Sequence, residues 1–531
     1  MNLILYNANI YTVNPAQPRA TALAVANDRI LAVGHDAEIR AVQLPNAQHV
    51  DLEGAFVMPG MIDAHLHLQW SGLEMRRVNV FEAPSVDVVV ARVRERARST
   101  PAGRWITGSG WTQDVWRPSR FPTAVELDAA TSDHLVALSA KSGHAMWVNS
   151  AALQQCGISA QTPDPPGGQI VRDEAGNPTG VLLENAMSLI TQHIPPPTAE
   201  EEEAATVQAM RAMNRFGLTG AHCMDGGAYS LRSLNTYQRL RERGHLSVRI
   251  VKQIGVEVLE TVVELGLRSG FGDAWLRIGG IKIFADGALG PHTAAMIEPY
   301  ENEPDNYGIS TFDPEALAET VTRCNQHGLA AVIHAIGDRA NHEALNAFEV
   351  AATQVSGVSL RNRIEHAQIV HPGDLGRFAR LNVIASMQPI HAIGDMRMAE
   401  TCWGERCRTA YAWRSLAGAG ARLAFGSDSP VESFNPFLGL HAAITRRRPD
   451  GYPGTEGWYP EQRLTIEAAI EAYTIGAAYA GGMEQEIGSL EAGKLADLIV
   501  LSRDITRATP DELLDTHVER VLLNGRWLDL S

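Results

Sequence analysis

The chain has 531 residues, 45% hydrophobic and 20% charged, a globular balance with room for a large domain and a smaller one. Its formal net charge of −16 excludes binding to nucleic acid through a basic surface. There is no run of about 18 apolar residues to span a membrane, and Met1-Asn2-Leu3-Ile4-Leu5-Tyr6 lacks the basic start of a secretory signal, so a cytoplasmic location is expected.

In chain order, the first 55 residues read as short strands, Leu3–Leu5, Ala8–Thr12 and Arg29–Val33, separated by Asn, Pro and Gly. An apolar run follows from Ala55 to Ile62, with Met58-Pro59-Gly60 as its entry turn, and closes on Asp63-Ala64-His65-Leu66-His67. Residues two apart on a strand share a face, so His65 and His67 project side by side as half of a metal site. The stretch from about Phe81 to Glu203 is rich in Trp, Pro and Gly (Trp105, Trp111, Trp116, Trp147) and too long for a short crossover. It reads as an insertion after the first strand, capping a barrel mouth.

Beyond it, candidate strands run through Gly217–Cys223, Val248–Ile254, Arg277–Phe284, Leu329–His334, Arg361–His366, Val383–Met387 and Arg422–Phe425. Segments with helical periodicity follow them, such as Pro314–His327 and Asp338–Gln354. Eight strand-then-helix units predict an α/β fold, a (β/α)8 TIM barrel. The C-terminal strands Ala496–Leu501 and Val518–Leu523, with Asn524-Gly525 as a hairpin turn, match the texture of the N-terminus. Residues 1–55 with 485–531 are therefore expected to form a small β-sandwich domain, with the barrel over 56–484 and its insertion over about 81–203.

Functional residues of such barrels stand at the C-terminal ends of strands. Those ends carry His65, His67, Lys282, His334, His366 and Asp428. Singly, each has an ordinary explanation: a satisfied strand-end histidine, a turn or N-cap aspartate, a lysine paired with Asp286. Six at matching positions form a set. The five scattered cysteines include no Cys-x-x-Cys, so a metal here would be held by histidine and carboxylate. Lys282 lies in a buried apolar strand, where a desolvated lysine shifts toward its neutral amine. A neutral amine can take up carbon dioxide as an anionic carbamate.

At these motifs the sequence resembles the amidohydrolase superfamily, and within it the amidohydrolase-3 group that includes N-substituted formamide deformylases. The resemblance rests on Pro59–His67, Ile281–Gly287, His334–Ala340, Glu365–Gln368, Gly426–Val431 and Gly488–Asp497, and covers essentially the whole chain. It implies a metal-dependent hydrolase with His65, His67 and Asp428 on one divalent ion, His334 and His366 on the other, and carbamylated Lys282 bridging. Asp428 is then the general base, and zinc is the first expectation for the metal. The implied substrate is an amide-like small molecule, N-formyl or N-acyl in class. No nucleic-acid or membrane partner is expected, and a homodimer is allowed.

Substrate contacts are assigned to His144, Trp111, His292, Gln388 and His391. Asp338 is read either as orienting a ligand imidazole or as capping a helix. The family pattern has Gly-Ser-Arg where this chain reads Gly290-Pro291-His292-Thr293; a histidine lacks the bidentate fork of arginine, which points to a shifted substrate preference. Two alternatives stay open: ester, carbamate or lactone hydrolysis at the same site, and a non-catalytic regulatory protein on the same fold.

Overall fold

The computed structural model describes residues 1–81, 83–113, 116–226, 229–355, 357 and 359–531. The chain forms two compact units, one made of Met1–Ser71 with Thr206–Ser531 and the other of Gly72–Ala205.

The first unit contains eight parallel strands hydrogen-bonded in chain order: β1 (Met61–Leu66), β2 (Leu218–Cys223), β3 (Arg249–Gly255), β4 (Leu276–Phe284), β5 (Ala330–Ala335), β6 (Arg363–His366), β7 (Ile384–Met387) and β8 (Leu423–Phe425). Helices such as Pro314–Gln326 and Asp338–Gln354 intervene, giving the expected (β/α)8 barrel with its additional β domain. β1, β2, β3 and β5 are buried at every position, which is why they read as continuous apolar runs rather than alternating ones. Each strand ladders on the next from β1 to β8. Between β8 and β1 the turn 426–429 supplies backbone bonds instead. Ser427 and Asp428 donate to the His65 carbonyl (3.2 and 2.6 Å), and His67 donates to that of Ser429 (2.8 Å).

Both chain ends build two further sheets. A four-stranded sheet runs in the order Arg29–Gly34, Ala22–Ala26, Asn2–Tyr6, Gln48–Asp51. A six-stranded one runs Arg526–Trp527, Val518–Leu523, Leu498–Leu501, Phe56–Pro59, Asn9–Tyr11, Arg19–Ala20. Leu3, Leu5, Leu23 and Val25 of the first share a core with Ile10, Val57, Leu498 and Leu522 of the second. One sequence expectation is corrected here. Met58 and Pro59 are not in a turn: they lie in the strand Phe56–Pro59, held between Asn9–Tyr11 and Leu498–Leu501. The apolar run is thus two strands that break at Gly60, where a Cβ would stand 2.2 Å from the Thr219 hydroxyl. Only glycine lets the chain pass there.

The second unit is a six-stranded sheet ordered Gly168–Arg172, Pro178–Glu184, Ala145–Val148, Leu135–Ala140, Trp105–Trp111, Val78–Asn79, with the helix Val86–Ser99. Trp111, Trp116 and Trp147 meet in its core at ring-centroid distances of 6.1–6.2 Å. Among the described residues no helix is long and apolar enough to cross a membrane.

Candidate metal centre

The β8–β1 seam positions the site. Asp428 sits in the left-handed backbone region at φ 62°, in a turn whose N–H groups are tied to His65 O. Its Oδ1 is thereby brought 3.3 Å from His65 Nε2 and 3.3 Å from His67 Nε2. Beneath the turn, the buried Asp63 accepts from the Ser427 amide at 3.0 Å and the Ser427 hydroxyl at 2.5 Å. Burial pushes the Asp63 carboxyl up to about 6 despite these bonds. His67 lies just past the end of β1 and still faces the same carboxylate as His65.

His65, His366 and His334 each have one ring nitrogen on a protein acceptor, which leaves the other nitrogen of each as the potential donor to a metal. His65 Nδ1 is 2.5 Å from Glu365 Oε2, so its Nε2 faces Asp428. His366 Nδ1 donates to Gln388 Oε1 at 2.8 Å. His334 Nε2 donates to the Gly287 carbonyl at 2.8 Å and leaves Nδ1. The rings of His65, His366 and His334 follow one another with centroids 4.7 and 4.6 Å apart. Burial and the nearby Lys282 charge hold His334 down at about 3, and burial first, then His334, keeps His366 well below the usual imidazole range. Both are therefore neutral imidazoles at physiological pH.

Lys282 points inward from β4 and is 2% exposed. Among the described residues its Nζ makes no hydrogen bond or ion pair; it lies 4.9 Å from the Phe284 ring centre. The alternative of a Lys282–Asp286 pair is not realised, because Asp286 accepts from the backbone of Ala295, Ile336 and Gly337 instead. Burial lowers the Lys282 ammonium to about 8, against the pull of Glu365 and Asp428.

Two sets of potential ligand atoms lie within 4.8 Å of one another: His65, His67 and Asp428, and His366, His391 and Asp428. His391, expected only to touch substrate, joins the second set, while His334 belongs to neither. Among the described residues, the buried His391 Nε2 has no hydrogen-bond partner; it lies 3.7 Å from Asp428 Oδ2. An orphaned imidazole nitrogen beside a carboxylate, next to two converged histidines, is a donor set that fits a divalent ion.

Glu365 was missed as a site residue. It is fully buried, paired through Oε1 with Arg363 Nε at 2.7 Å and through Oε2 with His65. Burial works to raise its carboxyl, but Arg363 and His65 outweigh that and hold it at about 2. Two opposite charges two residues apart, Arg363 and Glu365, directly before the strand-end His366 were the available signal.

The remaining expectations are placed as follows. Gln388 holds His366 rather than standing free for substrate. His292 has both nitrogens in use, Nδ1 on Glu303 (2.7 Å) and Nε2 on Cys402 Sγ (3.2 Å). Trp111 is a core residue of the second unit, 1% exposed, with its indole N–H on the Leu138 carbonyl, so it lines no mouth. His144, in the same unit, is exposed and pairs with Glu184 at 3.0 Å. Asp338 accepts from the Ile297 amide and makes no bond to an imidazole among the described residues.

The model of the amidohydrolase family matches residues 48–528. The chain belongs to the amidohydrolase family. This amidohydrolase is 34% identical to the Arabidopsis thaliana protein LONG AFTER FAR-RED 3, over 94% of this chain and 87% of that one. It is 31% identical to the N-substituted formamide deformylase of Arthrobacter pascens, over 99% and 97%. Among solved structures, an uncharacterized metal-dependent hydrolase from Pyrococcus furiosus superimposes with a TM-score of 0.79 at 29% identity, covering 96% of this chain and 100% of that one. The amidohydrolase described here is a hydrolase on a TIM barrel.

Proposed function

We propose that this amidohydrolase cleaves the carbon–nitrogen bond of an amide-like small molecule, N-formyl or N-acyl in class, at a dinuclear divalent metal centre. The observation that carries the reading is the convergence of His65, His67 and His391 on the two oxygens of one carboxylate, Asp428. His65, His67 and Asp428 would hold one ion and His366 with His334 or His391 the other. Lys282, a buried amine with no bonded partner among the described residues, would bridge them as a carbamate. Zinc suits these imidazole and carboxylate donors. When bound, such ions polarise the scissile carbonyl and lower the pKa of water.

The chain's own residues supply the rest. Asp428, whose carboxyl is kept well below the usual range by His65 and His67 despite burial, is ionised and can take the proton of the attacking water. Oxygen adds to the carbonyl carbon, the carbon–nitrogen bond breaks, and Asp428 passes the proton to the departing nitrogen. The products are a carboxylic acid, formic acid for a formamide, and an amine. Similarity to a formamide deformylase supports the substrate class.

The test is metal analysis of the purified chain together with rates on matched N-formyl, N-acyl and cyclic amides and on esters of the same acyl groups. About two ions per chain and faster turnover of amides are expected. One ion with unmodified Lys282 overturns the dinuclear reading, and faster ester turnover overturns the bond class. Binding of a protein partner by a chain with no metal and no turnover would establish the regulatory alternative.

A further inference from the structure

Away from the metal ligands, one group of side chains has the make-up of an activated nucleophile. Cys402 is the penultimate residue of the helix Pro389–Trp403, and its Sγ is 3.2 Å from His292 Nε2. His292 Nδ1 is 2.7 Å from Glu303 Oε1, while the other oxygen of Glu303 accepts from Asn306 Nδ2 at 2.7 Å. The imidazole also lies flat on Tyr300, with ring centroids 5.2 Å apart at 14°.

The order of these contacts fixes the protons. Ionised Glu303 takes the Nδ1–H of His292, so Nε2 presents its lone pair and the thiol donates to it. A thiol, a base within reach and a third group orienting that base are the three parts of a nucleophilic relay. His292 is also the residue at which the sequence departs from the family pattern, and its two occupied nitrogens leave none for substrate.

We propose that Cys402, with His292 as its base and Glu303 and Asn306 holding that base, is a site of oxidation by small hydroperoxides. Sulfur attacks a peroxide oxygen; the S–O bond forms and the O–O bond breaks. Sulfur loses two electrons and becomes a sulfenic acid, while the peroxide is reduced to an alcohol or water. The thiol proton moves to His292 Nε2 and from there to the departing oxygen. Burial and the Glu303 charge push the Cys402 thiol up, so it is protonated at rest and the step depends on the base. Cys402 is 3% exposed, which favours a reagent as small as hydrogen peroxide over bulky oxidants.

An oxygen added to this sulfur has to displace His292. The displaced residue lies on the segment after β4, whose Gly287 carbonyl holds His334. Cys402 is on the helix whose first turn carries His391. Oxidation is thus expected to loosen the segment after β4 that carries His292.

The test exposes the folded full chain to hydrogen peroxide, quenches it into denaturant that contains dimedone so that the trap reaches every sulfenic acid, and maps the labelled peptides. Cys156, which is more exposed and has no such base among the described residues, is the internal reference. Cys402 is expected to label about tenfold faster than Cys156, and His292→Asn or Glu303→Gln to remove that advantage. Amide hydrogen exchange over 285–312 should rise on oxidation of the unmodified sequence and stay constant in Cys402→Ser. Labelling of Cys402 no faster than Cys156, or at a rate indifferent to both base variants, overturns the proposal.

Discussion

The barrel's metal centre and the tryptophan core of the inserted unit are both deeply buried clusters of rings, and they are built on opposite terms. In the insert, Trp111 and Trp147 give their only polar hydrogens to backbone carbonyls, of Leu138 and Thr123, and bury the rest as apolar surface. Neither indole N–H is left unsatisfied. In the barrel, burial falls on His65, Lys282, Glu365, His391 and Asp428, and among the described residues neither Lys282 Nζ nor His391 Nε2 makes a hydrogen bond. The apolar cluster needs no further component, whereas the polar one is complete only with something added to it.

That contrast can be broken by substitution, with metal content as the discriminating readout. Asp428→Asn keeps a residue that tolerates the left-handed turn and removes the carboxylate. Hydrolysis should fall by on the order of 10²–10⁴-fold, with metal lost and the fold retained by circular dichroism. Full activity in this variant would remove Asp428 from the chemistry. Lys282→Ala should abolish turnover, and added short carboxylic acids should restore part of it by standing in for the carbamate; an unaffected variant would strike Lys282 from the mechanism. Trp147→Ala should cost about 3–5 kcal/mol in denaturant unfolding and leave the ion count unchanged. A drop in bound metal in that variant would show that the two clusters are not independent. Glu365→Gln should weaken metal affinity by roughly 10–100-fold, measured by competition with a chelator, because the amide leaves one neutral acceptor oxygen for both Arg363 and the His65 Nδ1–H. Unchanged affinity would make Glu365 a structural ion-pair member only.

The barrel was legible because its strands, buried on both faces, stand out as apolar runs, and because a histidine or aspartate closing such a run is conspicuous. The same apolarity blurred the end of the preceding strand: Met58-Pro59-Gly60 reads as a turn, whereas Met58 and Pro59 are in a strand and the break is at Gly60, where Thr219 leaves no room for a Cβ. Glu365 was hidden by its neighbour His366, whose motif drew all the attention. His391 was underrated because it comes from a helix, where strand alternation gives no direction. The tryptophans misled for a different reason. Composition reports that a segment is aromatic, while only the packing of Trp111 against Trp116 and Trp147 reports that the aromatics face one another.

The turn that closes the barrel has a consequence for how the protein is made. The bond between Ser427 and Asp63 joins residues 364 apart, and the same turn delivers Asp428 to His65 and His67. A nascent chain therefore carries its paired histidines, without their carboxylate, through the synthesis of nearly the whole barrel. Contacts of such long separation form late. Until the eighth strand arrives, the growing polypeptide exposes a loose histidine pair and an open sheet edge together, and one turn resolves both.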